Sequence, residues 1–212
     1  MQTIILPMFP LRLVAFPGEL LNLHIYEPRY KQLVSECEAR GTTFGLPAFI
    51  EEKVQEIGTE IELISIDKVY PKGEMDIRTR GLGLFKVLEF HAMVEDRLYT
   101  GAEVLRLPHD TQGDPDKHEL ILAHLAELYR VMNISKPLPA LTPDFTTYQI
   151  AHLVGFSLEQ EYELLCIPEE TRRQDNMIAH IERLLPTARE MEELRKKVQM
   201  NGHFKNMLPP IE

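Results

Sequence analysis

The chain has 212 residues, 44% apolar and 26% charged, with a net charge of -10 at pH 7. This composition is that of a folded protein of one or two domains and excludes disordered and collagen-like chains, while the negative balance opposes nucleic-acid phosphate and anionic membranes. No run approaches the ~18 consecutive apolar residues of a membrane span, and the N-terminus lacks the basic start and small-residue cleavage site of a signal peptide, so a cytoplasmic location is expected.

The first half reads as short strands around one helix. Leu6 to Phe9 and Leu20 to Ile25 are proline-bounded extended segments, and Glu27-Pro28 starts a helix, where proline suits the first turn. An acid at that start complements the helix dipole, and Arg29 can pair with a nearby carboxylate. Ile57, Thr59, Ile61 and Leu63 alternate with Glu60 and Glu62, the period of a half-buried strand. Tyr70-Pro71-Lys72-Gly73 then predicts a hairpin turn into Met75, Ile77 and Thr79, which alternate with Asp76, Arg78 and Arg80. Leu84 to Phe90 and Tyr99 to Leu107 are further strand runs, separated by a polar turn near Glu95-Asp96-Arg97. Several short strands with one helix predict a small barrel or twisted sheet over residues 1–108.

His109 to Asp116, reading HDTQGDPD, is polar and turn-forming and predicts a solvated linker that marks a domain boundary. Residues 117–212 read as helices. Leu122, Leu125, Tyr129 and Met132 form one amphipathic stripe. Thr142-Pro143-Asp144 is a helix start and Gly155 a helix stop; Ser157 to Gln160 is a capping box opening a short helix that ends before Pro168. Met177, Ile181, Leu184, Ala188, Met191, Leu194 and Val198 keep register across Pro186, which predicts a long kinked helix, with a break there as the second choice, and then a polar tail from Asn201 to Glu212.

The order of several motifs carries a family resemblance. Phe9 to Arg12 (FPLR), Phe16 to Gly18 (FPG), His24 to Tyr30 (HIYEPRY), Phe44 to Leu46 (FGL), Ile57 to Thr59 (IGT) and Met75 to Val87 (MDIRTRGLGLFKV) resemble the N-terminal substrate-binding domain of Lon-type ATP-dependent proteases. The resemblance implies an α+β fold, an N-terminal PUA-like β-barrel followed by a C-terminal α-helical bundle. It also implies a module that binds unfolded or extended polypeptide without catalysis or cofactor, with a protease or chaperone as a further partner. None of the eleven glycines is followed by lysine, so this sequence holds no GxxxxGK[ST] phosphate-binding loop.

Other constellations have plainer explanations. Cys37 and Cys166 stand alone and read as small buried hydrophobes. His109, Asp110, Asp114, Asp116 and His118 match no metal-ligand spacing; Gly81-Leu82-Gly83 lacks the third glycine of a dinucleotide fingerprint and reads as a strand kink or bulge; Ser135-Lys136 reads as a loop. His24, His152 and His180 have no partner acid at a useful spacing and read as packed residues. The candidate binding residues are Arg12, Arg78 and Arg80, the last two on one strand face, together with Phe44 of the FGL motif. The alternative function is that of a PUA-like nucleic-acid-binding protein, and the charge count opposes it: residues 1–108 carry 12 basic and 16 acidic side chains. A hydrolase would need a nucleophile and a positioned base, a pair the sequence does not display.

Overall fold

The computed structural model describes residues 3–91, 97–142 and 144–204, with side chains to residue 198. Six strands come first: β1 (Thr3–Pro7), β2 (Leu20–Ile25), β3 (Phe44–Ile50), β4 (Lys53–Val69), β5 (Met75–His91) and β6 (Gly101–Leu107), with α1 (Pro28–Arg40) between β2 and β3. Then follow α2 (Pro115–Met132), a 3-10 helix (Thr147–Leu153), α3 (Leu158–Leu165) and α4 (Glu170–Phe204). The fold is α+β, with one antiparallel sheet in the order β1-β6-β5-β4-β3 and β2 paired to β5.

The predicted hairpin is present, with Val69 opposite Met75 and Gly73 at φ +75° in the turn. The two strand runs expected on either side of residues 81–83 form a single strand, because β5 changes partners there. Its first half pairs with β2 and β4, its second with β4 and β6. The change occurs at Gly81-Leu82-Gly83, where the register against β4 slips by one residue, as the bulge reading anticipates. A Cβ on Gly81 would overlap the Phe16 carbonyl, so only glycine lets the Phe16–Gly18 turn cross the strand.

The expected barrel does not close. Among the described residues, the backbone after β1 pairs with β3 at two isolated parallel bridges, Met8 with Gly45 and Leu11 with Ala48. Pro7, Pro10 and Pro47 supply no N–H to this ladder, and so the sheet curls without sealing its edge. A second expectation also changes: β4 is buried on both faces from Gly58 to Ile61, Glu60 included, rather than half-exposed.

Helix boundaries follow local chemistry. Glu27 precedes Pro28 at the α1 start and takes a 2.8 Å hydrogen bond from Arg29; Asp114 caps α2 by accepting from the Asp116 N–H. The Ser157–Gln160 capping box is complete, and α3 ends at Cys166. The α2 stripe is rotated from the expected one. Ile121, Leu125 and Leu128 face inward, whereas Met132 is 50% exposed. The helix expected to start at Thr142-Pro143-Asp144 begins at Thr147 as a 3-10 helix; Pro143 lies outside the described residues. Gly155, at φ +77°, stops it as expected. Helix α4 runs through Pro186 and past Asn201 to Phe204; residues 205–212 of the expected tail, and residues 95 and 96 of the expected turn, lie outside the described residues.

The largest apolar cluster joins both halves, packing Val14 and Phe16 of the β1–β2 connection and Ala48 and Leu84 of the sheet against Ile121, Tyr148, Leu164 and Ile181 of the helices. Tyr162 reinforces this junction, its hydroxyl accepting from the Ile57 N–H. The linker is clamped rather than merely solvated. Arg173 and Glu170, both with fully buried side chains, pair at 2.6 Å. The Arg173 guanidinium also donates to the carbonyls of Ile167, Pro168 and Asp110 and lies 4.2 Å from the Tyr148 ring centre. Glu170 accepts from the Thr147 N–H at 2.7 Å and the Thr147 hydroxyl at 3.0 Å, and contacts His118 Nε2 at 3.1 Å. Gln174 exchanges two hydrogen bonds with the Asp114 backbone. Removing one partner leaves a buried charge, so Arg173→Met is expected to cost about 3–5 kcal/mol. In urea unfolding, the double variant with Glu170→Gln should lose less than the sum of the two singles.

His152 links the halves as well, touching Glu19 at 3.1 Å and Glu161 at 2.7 Å while its ring packs on Phe16. Glu161 lies nine residues on, in a different helix, and Glu19 lies in the first half of the chain, so neither stands at a spacing that a single element brings together. Hydrogen bonds to Glu161 and Glu19 push its pKa up to about 10 from an ordinary 6.5. Because the folded-state pKa is raised, the stabilisation is complete below about 6.5 and is lost as pH rises toward about 10. Thermal melts should therefore show a fall in stability from pH 6.5 to 10 that is shallower in His152→Gln.

Candidate functional site

The unsealed sheet edge borders a cavity of about 890 Å³. Four consecutive residues of β1, Ile4 to Pro7, form one wall; Glu36, Cys37 and Arg40 at the end of α1, with Gly41 to Thr43, form another. Glu60, Arg106, Tyr99 and His91 complete it. Beneath lies a small apolar cluster of Leu6, Met8, Phe85, Val87, Ala102 and Val104, which fills the curl of the sheet. Strand alternation explains the lining: Ala102 and Val104 face the curl, and Arg106, two residues on, points the same way.

The polar groups of the cavity are tied together. Arg106 donates two 2.7 Å hydrogen bonds to Glu60, whose side chain is 6% exposed, and the Thr43 hydroxyl donates a third at 2.7 Å. Burial pushes the Glu60 carboxyl up, but the bonds from Arg106 and Thr43 outweigh it and hold the pKa below its ordinary value. The Tyr99 hydroxyl donates to Glu36 at 2.9 Å; burial first, and then that bond to a carboxylate, push its pKa up to about 12. Burial likewise raises the Cys37 thiol, which keeps it protonated and unreactive. Among the described residues, no group of three or more His, Cys, Asp or Glu side chains could hold a metal ion.

Of the residues singled out from sequence, Arg78 and Arg80 do share an exposed face, but each is paired at 2.7 Å, with Asp67 and Glu62 respectively. Arg12 lies apart from them, 3.4 Å from Glu52 at the β3–β4 turn. Phe44 is fully buried against Phe9 in the core beneath α1 and presents no surface. His24 meets Asp76 at 2.7 Å, and His180 Nε2 meets the Val154 carbonyl at 3.2 Å. The cavity residues Glu60, Arg106, Glu36 and Tyr99 were missed. In the sequence Glu60 alternates with its neighbours as Glu62 does, so the strand pattern does not mark it.

These features define a class: an α+β domain whose curled antiparallel sheet leaves one strand edge accessible beside a cavity, backed by helices that share its core. The chain belongs to the ATP-dependent protease La (LON) substrate-binding domain family, which matches residues 5–183. It is 27% identical over 184 residues to a Lon protease of Syntrophus aciditrophicus (strain SB), covering 76% of this chain and spanning only 23% of that protein. The crystal structure of a Lon N-terminal domain protein from Xanthomonas campestris superposes with a TM-score of 0.64 at 26% identity, covering 83% of this chain and 98% of that one. The N-terminal domain of a Mycobacterium avium complex Lon protease gives 0.60 at 12% identity, covering 84% and 98%, and shares the fold. Among the described residues, no helix is long and apolar enough to cross a membrane.

Loss of the Glu60 charge removes three charge-assisted hydrogen bonds in exchange for weaker ones, so Glu60→Gln is expected to destabilise by about 1.5 kcal/mol near neutral pH. Since the folded-state pKa is lowered, that difference should vanish as pH falls through the carboxylate range, as chemical denaturation at pH 7 and below pH 4.5 would show.

Proposed function

We propose that the chain is a non-catalytic polypeptide-binding module, in which an extended segment of a client adds as a strand along the free edge of β1 and sets its side chains toward the adjoining cavity. The observation that carries this reading is the edge itself. β1 pairs on one side only, with β6 from Thr3 to Pro7, and its other side borders the cavity. Ile5, 69% exposed, supplies an apolar contact there. Membership of a substrate-binding domain family supports polypeptide as the ligand class. A cytoplasmic site of action and cooperation with a protease or chaperone belong to the same proposal. The arginine pair Arg78 and Arg80 is a secondary contact for acidic clients, reached only by displacing Asp67 and Glu62. That pairing also weighs against nucleic acid, since the face they form is neutralised.

Fluorescence anisotropy against one labelled test protein, folded and then held unfolded, tests the proposal at low and high salt. Binding is expected only to the unfolded form and should persist at high salt. Ile5→Lys, at an exposed position, should weaken it about tenfold with an unchanged melting temperature. Equal binding to the folded form, no binding to either, or indifference to Ile5→Lys would overturn it.

A further inference from the structure

The β1 edge is closed at its Pro7 end. Beyond Pro7 the chain turns onto β3, where Met8 bridges Gly45 and the Phe9 N–H donates to the Gly45 carbonyl at 2.8 Å. On the other side the Met8 N–H donates to the Thr100 carbonyl at 2.9 Å. Strand alternation then turns the amides of Ile4 and Leu6 toward β6, so the backbone groups of Thr3 and Ile5 point to the free side. A strand added there finds donors and acceptors at Thr3 and Ile5, no N–H at Pro7, and β3 already in place at Met8. A client that runs parallel to β1 has to stop or turn at this end.

The closed end is rich in unmatched positive charge. Thr43 immediately precedes β3 and Tyr99 shortly precedes β6, so the two connections flanking Pro7 bring Arg40, Arg97 and Glu36 into the same corner of the cavity. One carboxylate oxygen, Glu36 Oε2, is shared by three groups: the Tyr99 hydroxyl at 2.9 Å, Arg40 at 3.5 Å and Arg97 at 3.5 Å. At that separation neither guanidinium makes a close hydrogen bond, and among the described residues neither has another acidic partner. Glu60, the other carboxylate of the cavity, is taken up by Arg106 and the Thr43 hydroxyl. Two arginines thus face one shared acid. The missing group is a planar anion with two acceptor oxygens, which is the form of a peptide's own carboxyl terminus. A client laid antiparallel would instead bring an ammonium group or an uninterrupted chain against the arginines.

We infer, resting on strand addition at β1, that the client segment is a free carboxyl terminus, which runs parallel to β1 and seats its terminal carboxylate between Arg40 and Arg97.

Fluorescence anisotropy tests this with a peptide of alternating valine and threonine labelled at its amino end, made as the free acid, as the carboxyl amide, and as the amide with an internal aspartate. The free acid is expected to bind about tenfold tighter than either amide, an excess that shrinks at high salt. Arg40→Gln combined with Arg97→Gln should bring the ratio of acid to amide affinity close to unity, whereas Ile5→Lys should weaken acid and amide alike. Direction is read with a benzophenone side chain: next to the carboxyl end it should cross-link to residues 41–43, and at the amino end close to Thr3. Equal binding of acid and amide, both sensitive to Ile5→Lys, would overturn the carboxylate and leave strand addition standing. An aspartate amide as tight as the acid, an acid preference that survives the arginine variant, or the reversed cross-linking pattern would also overturn it. No binding of the free acid while the unfolded test protein binds would overturn the carboxyl-terminal client alone; failure of both would overturn strand addition with it.

Discussion

The placement of the helical half depends on one buried ion pair, Glu170 with Arg173. Both side chains are withdrawn from water, a cost that mutual attraction alone does not repay at such depth. It is offset because nearly every polar atom of the pair is used: the guanidinium gathers three backbone carbonyls, and the carboxylate takes the Thr147 amide and hydroxyl. These partners come from the linker, from the approach to α4 and from the 3-10 helix. The pair therefore joins three stretches of chain that are separate along the sequence. Gly113 belongs to the same arrangement, since a Cβ there would collide with Gln174, His118 and Glu170.

The sheet has its own governing constraint, the double length of β5. A 17-residue strand cannot hold one set of neighbours while curling, and it changes them at Gly81-Leu82-Gly83. The same place admits the Phe16–Gly18 turn, and Phe16 then reaches across to Tyr148 and His152 of the helical half. Curling brings β1 close to β3, but three prolines along the approach leave too few donors for a ladder. The cavity and the accessible edge are both products of that shortfall. The family membership covers residues 5–183, and within them the β1 edge keeps backbone hydrogen-bonding capacity beside a cavity.

Much of the local structure was legible because it rests on chemistry within a few residues. Glu27-Pro28 and the Ser157–Gln160 box place helix starts, Gly73 and Gly155 place turns, and period-two alternation places the β4–β5 hairpin. The site was less legible. Arg78 and Arg80 stand out in sequence because strand alternation puts them on one face, but the acids that neutralise them are 11 and 18 residues away. Phe44 stands out by motif and is spent on the core. Glu60 and Arg106 are 46 residues apart, and nothing in either local pattern reports that they meet.

The amino-acid sequence by itself determined the α+β class, the family, most element boundaries and the continuous register of α4, since all of these follow from spacing, capping and motif order along the chain. Tertiary structure decided whether the sheet closed, that His152 would meet Glu19 and Arg106 would meet Glu60, and where the α4 stripe stopped being core. Those outcomes depend on contacts between residues far apart in the chain. The Met191 to Val198 stripe has the same apolar spacing as Met177 to Ala188, and only the point at which α2 ends separates a buried face from an open one.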